Sequence, residues 1–99
     1  MAQFDLLRVR STGEILVDCQ SDLLRHLPTR FAIPLFPVDA GFTPAERLNP
    51  VFEVEGEPLI LGTQYAVALP LRELTEAGGS LDQFRLQIIG ALDLLIGGV

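Results

Sequence analysis

The residues that could carry chemistry are few, and their spacing does not favour it. His26 is the one histidine in a chain of 99 residues. Ser21 and Asp22 precede it closely, but the three match no known nucleophile arrangement. No second ligand stands at metal-binding distance along the chain, so His26 reads as a surface-loop residue beside Leu27-Pro28. Glu53, Glu55 and Glu57 form a carboxylate cluster. Strand alternation sends Glu53 and Glu55 to the same solvent-facing side. Acid–base work would need one carboxyl in an apolar setting, and nothing around these three provides it. Cys19 is the one cysteine. It lies inside an apolar strand pattern and reads as a small buried hydrophobe. A single thiol makes no internal disulfide, which fits a reducing cytoplasm. There is no GxGxxG, Walker sequence, HExxH or CxxC. The sequence therefore points away from an enzyme and calls for no cofactor and no metal.

Charge narrows the class further. The formal net charge is −6, there is no lysine, and all seven cations are arginines. Binding nucleic acid directly requires a basic footprint that displaces counterions from phosphates. An acidic surface suits a basic protein partner or serves solubility. Hydrophobic residues make up 48% of the chain, more than one small core needs, so part of this apolar material is expected in an interface. One domain over residues 1–99, assembled as a C2 homodimer, is the expected organisation. Met1-Ala2-Gln3-Phe4-Asp5 does not open like a signal peptide. The apolar stretch from Leu86 to Val99 is 14 residues long and carries Asp93, too short and too interrupted to span a bilayer.

The elements that would position a contact surface follow from periodicity. Gln3 to Val9 reads as a strand, Ser11-Thr12-Gly13 as a turn, and Glu14 to Cys19 as the return strand. Phe31 to Phe36 is a third apolar run. Its proline predicts an edge or a kink. In the loop from 37 to 49, Thr43-Pro44-Ala45-Glu46 has the pattern of a capping box on one short turn of helix. Val51-Phe52-Glu53-Val54 alternates, Glu55-Gly56-Glu57 turns, and Pro58 to Leu61 returns as a second hairpin. Tyr65 to Leu71 gives one more strand. Gly78-Gly79 reads as a break. Ser80, with Gln83 three residues on, then caps one long helix. Leu81, Phe84, Ile88, Leu92 and Leu95 recur every three or four residues as its buried stripe, and Gly97-Gly98 ends it. Short antiparallel strands plus a terminal helix predict an α+β domain, mainly antiparallel β, with a barrel-like sheet.

Several strings, in this order and spacing, resemble the CcdB toxin family. They are the opening Gln3-Phe4, the run Leu16-Val17-Asp18-Cys19-Gln20-Ser21-Asp22-Leu23-Leu24, then Ile33-Pro34-Leu35, then Asn49-Pro50-Val51 before a glycine-turn hairpin. The likeness covers almost the whole chain, and the C-terminal helix stands last, as in that family. It implies an SH3-like barrel of the CcdB, MazF and Kid type with a small side sheet. It also implies a homodimer and the toxin's part in a type II toxin–antitoxin pair. Such a toxin binds the GyrA subunit of DNA gyrase and traps gyrase on cleaved DNA. A CcdA-like antitoxin neutralises it, and DNA is reached only indirectly, through the antitoxin complex.

Carried over by position, the gyrase-binding surface comprises Leu23, Leu24 and Arg25, then Arg85, Leu86, Ile89, Gly90 and Asp93, then Gly97, Gly98 and Val99. Periodicity adds its own argument. Leu86, Ile89 and Asp93 fall at i, i+3 and i+7, off the buried stripe, and two aliphatics there require cover from gyrase, a second subunit or a loop. The family's antitoxin site maps near Arg8 to Glu14 and Asp39 to Leu48, where Arg8, Arg10 and Arg47 could meet an acidic tail or simply face water. One position departs from the family. Its tail ends in Trp-Gly-aliphatic, and Gly97 stands where the tryptophan would. A tryptophan of this kind is a typical interface hot spot, worth roughly 2–4 kcal/mol. Two alternatives therefore stand beside a gyrase poison. One is a CcdB-like paralogue with weakened or lost poisoning that mainly binds its antitoxin. The other is a MazF-type endoribonuclease, which would need a basic groove and an acid–base pair.

Overall fold

The computed structural model describes residues 1–98. Seven strands run in chain order: β1 (Asp5–Val9), β2 (Ile15–Asp18), β3 (Thr29–Pro37), β4 (Val51–Val54), β5 (Glu57–Leu61), β6 (Val67–Pro70) and β7 (Leu74–Ser80). The helix α1 (Arg85–Gly97) closes the described chain. Neighbours in the sheet follow the order β4-β5-β3-β2-β1-β7, with β6 also on β3, and every pairing is antiparallel. The sheet curls as a half-barrel. β4, β5 and the end of β3 make the small side sheet that the resemblance implied.

Alternation along the strands gives the sheet two apolar faces. Phe4, Leu6, Val17, Ile33, Leu35, Phe52 and Leu61 pack on one face with Leu81, Ile88 and Ala91 from the helical end of the chain. Leu7, Leu16, Ala32 and Leu74 pack on the other. The second hairpin turns through Glu55 (φ 53°) and Gly56 (φ 82°). Two consecutive positive φ values define a type I′ turn, whose twist matches that of the strands.

Four expectations from the sequence are corrected. β3 is central, not an edge, and it pairs with β2, β5 and β6. Its prolines sit where ladders end. Pro34 is the last residue of β3 in register with β2, and Pro37 is the last residue of the strand, so no ladder loses an interior donor. Gly78 and Gly79 do not break the chain. Both take positive φ (86° and 92°) inside β7, where the pairing with β1 shifts register between Asp5 and Leu7. They form a bulge that bends a strand, and the strand itself carried no clear alternation. Thr43-Pro44-Ala45-Glu46 forms no helix. Asn49 shapes that loop, its N–H donating to Ala45 O at 2.8 Å and its Oδ1 accepting the Ala45 N–H at 3.0 Å. Ser80 does not cap the long helix: its Oγ accepts the Asp82 N–H at 3.1 Å, Leu81 stands at the N-cap of a 3-10 turn (Asp82–Phe84), and the α-helix begins only at Arg85.

The expected stripe packs on the core at Leu81 and Phe84, which precede α1, and at Ile88 and Leu92 within it, with Ala91 added. Leu95 is the exception at 43% exposure. The helix ends where glycine was expected to end it: Gly98 takes φ 71° and its N–H donates to Leu94 O at 3.0 Å, the left-handed cap that glycine adopts without strain.

Candidate functional site

The run from Asp18 to Asp22 builds the first part of the site. Asp18 is fully buried, and its Oδ1 accepts the Gln20 N–H at 3.0 Å. Burial raises its carboxyl above the ordinary carboxylate range, against the opposing pull of the Gln20 N–H and of Arg30. Ser21 Oγ accepts the Leu23 N–H at 3.2 Å, starting a 3-10 turn over Asp22–Leu24. This polar string takes up the local backbone donors and leaves two aliphatics on the outside. Leu23 is 87% exposed, and Leu24 and Arg25 are exposed too.

The second part is the outer face of α1. At 100° per residue, Leu86, Gly90, Asp93 and Gly97 fall opposite the buried Ile88, with Ile89 to one side. All of these are exposed, as is Arg85. Leu86 reaches 81%. Eight of the thirteen helix residues are apolar, and such a helix is covered on more than one side in a complete assembly. Here the sheet covers one side.

Gln3 and Phe4 join the two parts. The Gln3 N–H donates to Asp22 Oδ1 at 2.9 Å, and its Nε2 donates to Cys19 O at 3.2 Å. Phe4, next in the chain, is buried with φ 71°, a conformation a bulky residue takes only when its surroundings dictate it. Its N–H donates to Asp18 O, and its carbonyl accepts the Leu81 N–H at 2.7 Å. Arg85 lies over the Phe4 ring, 5.6 Å from the centroid, with Asp82 Oδ1 at 3.8 Å. One dipeptide therefore fixes the Leu23 loop and the entry to α1 together. Gly97 and Gly98 stand at the far end of the helix, about 18 Å from Arg85 by helical rise. Val99, expected at the tail, lies outside the described residues.

Two exposed groups escaped the sequence reading. Ile96 is 81% exposed. Its signal was available, since it follows Ile89 by seven residues on the same flank of the helix. Leu27 and Leu71 are also exposed beside the Leu23 loop, joined by the Leu71 N–H to Pro28 O hydrogen bond of 2.8 Å. No local pattern marks that neighbourhood.

On the opposite face of the sheet, an apolar groove of about 320 Å³ is lined by Val9, Leu16, Pro34, Phe36, Val67 and Leu69, with Glu14 the charged residue in its wall. Phe36 meets Phe42 of the 38–48 loop at 5.3 Å, with ring planes tilted by 32°, and Tyr65 edge-on at 5.7 Å. The groove is thus walled by the first hairpin, β3 and β6, and the long loop reaches it only through the contacts of Phe42 with Phe36 and Tyr65.

Among the described residues, no cluster of three or more His, Cys, Asp or Glu could hold a metal, and no helix is long and apolar enough to cross a membrane. His26 is exposed, as are Glu53, Glu55 and Glu57. Cys19 is buried, and burial with the Asp18 charge pushes its thiol up to about 12, which keeps it unreactive. The arrangement is that of a small antiparallel half-barrel presenting an apolar contact surface. The family described as CcdB protein matches residues 3–98, and the chain belongs to that family. No curated protein matches the chain.

Proposed function

We propose that this protein is the toxin of a type II toxin–antitoxin pair, acting in the cytoplasm as a homodimer. It binds the GyrA subunit of DNA gyrase and traps gyrase on cleaved DNA. It is an inhibitor by contact, not an enzyme. Membership of the CcdB family supports a role of this kind. The observation that carries the finer reading is the exposed apolar surface on a rigid frame: Leu23 and Leu24 from one loop, Leu86 and Ile89 from the helix, bound together by Gln3 and Phe4. Arg25, Arg85, Gly90, Asp93, Gly97, Gly98 and Val99 complete the proposed surface, and Ile96 extends it. Exposed aliphatics clustered this way need a partner. A cognate antitoxin segment would occupy the apolar groove beside the first hairpin, and regulatory DNA would be reached through the antitoxin.

A second reading, a paralogue with weakened poisoning that mainly binds its antitoxin, is favoured by one specific observation. Gly97 stands where the resemblance calls for a tryptophan, and it is exposed at the end of the helix. A DNA-cleavage assay separates the two. Purified gyrase, supercoiled plasmid and this protein are incubated with ATP, then treated with detergent and protease. Linear plasmid accumulating with protein concentration supports the poison. No linear DNA from the native chain, with linear DNA from Gly97→Trp, supports the paralogue. No linear DNA from either overturns gyrase poisoning.

A further inference from the structure

The loop that presents Leu23 and Leu24 has no packing of its own to hold it. No residue of the Asp22–Leu24 turn is buried, and Leu27 beyond it is exposed as well. Its carbonyl oxygens are taken up instead by side chains rooted beneath it. Gln20 Nε2 donates to Leu24 O at 2.8 Å. Arg30 Nη2 donates to Arg25 O at 3.0 Å, and its Nη1 donates to Thr29 O at 3.2 Å and Leu27 O at 3.5 Å. Arg25 O and Leu27 O, which water would otherwise solvate, are thus matched by the fixed donors of Arg30, and Gln20 adds a second donor to Leu24 O, which also accepts the Leu27 N–H at 3.1 Å.

These donors are anchored from behind. Gln20 Oε1 accepts the Phe31 N–H at 3.0 Å. Arg30 Nε stands 3.5 Å from Asp18 Oδ2, and both residues are buried. A buried ion pair is a poor way to stabilise a fold, since apolar residues of similar volume often serve as well. Arginine's planar fork suits another task, holding several acceptors at fixed directions. Here one edge of the guanidinium faces Asp18 and the remaining donors face the loop.

We propose that Asp18, Gln20 and Arg30 form a clamp that positions the Leu23-Leu24 knuckle for its partner. They act through the loop, as positioning residues. The partner's identity rests on the gyrase reading above, while the clamp's action on the loop is measurable without any partner.

The test uses the full chain and three variants, Arg30→Lys, Gln20→Met and Leu23→Ala. Arg30→Lys keeps a charge beside Asp18 but gives up the fork, and Gln20→Met, at a less buried site, removes the donor to Leu24 O together with the acceptor of the Phe31 N–H. Amide hydrogen exchange is followed residue by residue in the free protein. Exchange at Leu24, Arg25 and Leu27 is expected to quicken by about 10- to 100-fold in the clamp variants, with the strand amides of β1, β2 and β3 unchanged apart from Phe31, whose N–H loses its acceptor in Gln20→Met. Loop amides that do not respond overturn the clamp. So do loop and strand amides that quicken together, because Arg30 would then serve the fold at large. If Arg30→Lys does not fold, Gln20→Met decides by the same reading. Titration against a GyrA dimerisation-domain fragment is the second arm. Weaker binding by both Leu23→Ala and the clamp variants supports the proposal. Weaker binding by Leu23→Ala alone overturns it. Leu23→Ala binding as the native chain does overturns the gyrase reading of the loop, and the exchange result still decides the clamp.

Discussion

The rings of Phe52 and Phe84 lie stacked, with centroids 4.5 Å apart and planes inclined by 16°. Phe52 comes from β4 in the side sheet, and Phe84 ends the 3-10 turn from which α1 departs. This contact joins the side sheet to the root of the helix, so it helps fix how the helix presents Leu86 and Ile89. Phe52 is fully buried. Phe52→Ala is expected to destabilise the protein by about 3–5 kcal/mol, the range for emptying a buried aromatic site. Urea unfolding followed by circular dichroism measures it, and a loss under about 1 kcal/mol would mean the site collapses and the stack matters little.

Gly62 is required by a close approach, not by its backbone angles. A Cβ there would stand 2.3 Å from Phe36 Cε2 and 3.1 Å from Pro34 O. The Phe36 ring would have to leave the aromatic group it shares with Phe42 and Tyr65. Gly62→Ala is expected to cost about 1–3 kcal/mol, as overpacking does. Phe36→Leu in the same chain should recover part of that loss. Thermal unfolding of the single and double variants checks it, and strictly additive losses would show that the two sites are independent.

Cys19 couples stability to alkaline pH. Its thiol is raised from 9.0 to about 12 in the folded chain, by burial first and by the Asp18 charge second. Between those values the unfolded chain has lost the proton while the folded chain keeps it. Unfolding is then favoured progressively as pH rises through the window, and below pH 9 the group has no such effect. Urea midpoints measured up the alkaline range should therefore fall more steeply for the native chain than for Cys19→Ala. Parallel curves would contradict the buried thiol.

Much of the fold was legible in the residues, and the exceptions have physical causes. The first hairpin, the Glu55-Gly56 turn and the Gly98 cap each rest on local chemistry and stand where the pattern puts them. The central place of β3 is not legible because proline's missing donor argues for an edge, while the ladders end at Pro34 and Pro37 only in the folded chain. β7 was missed because a Gly-Gly pair looks the same in a bulge as in a loop. Leu95 kept the helical period but lies past the point where the sheet covers α1. In the proposed site, Leu86 and Ile89 were legible as aliphatics off the helix's buried stripe, and Leu23 only through the family resemblance. Arg30 was not, because the loop carbonyls it holds and the Asp18 partner it faces come together only in the folded chain.

The proposed binding surface for GyrA comprises the Leu23 loop and the outer face of α1. Calorimetric titration of the native chain against a GyrA dimerisation-domain fragment, with Leu23→Ala and Gly97→Trp alongside, tests it most directly. Binding by the native chain is expected, with about tenfold or greater weakening by Leu23→Ala and tighter binding by Gly97→Trp, as an interface tryptophan would give. Absence of heat from both the native chain and Gly97→Trp would contradict it.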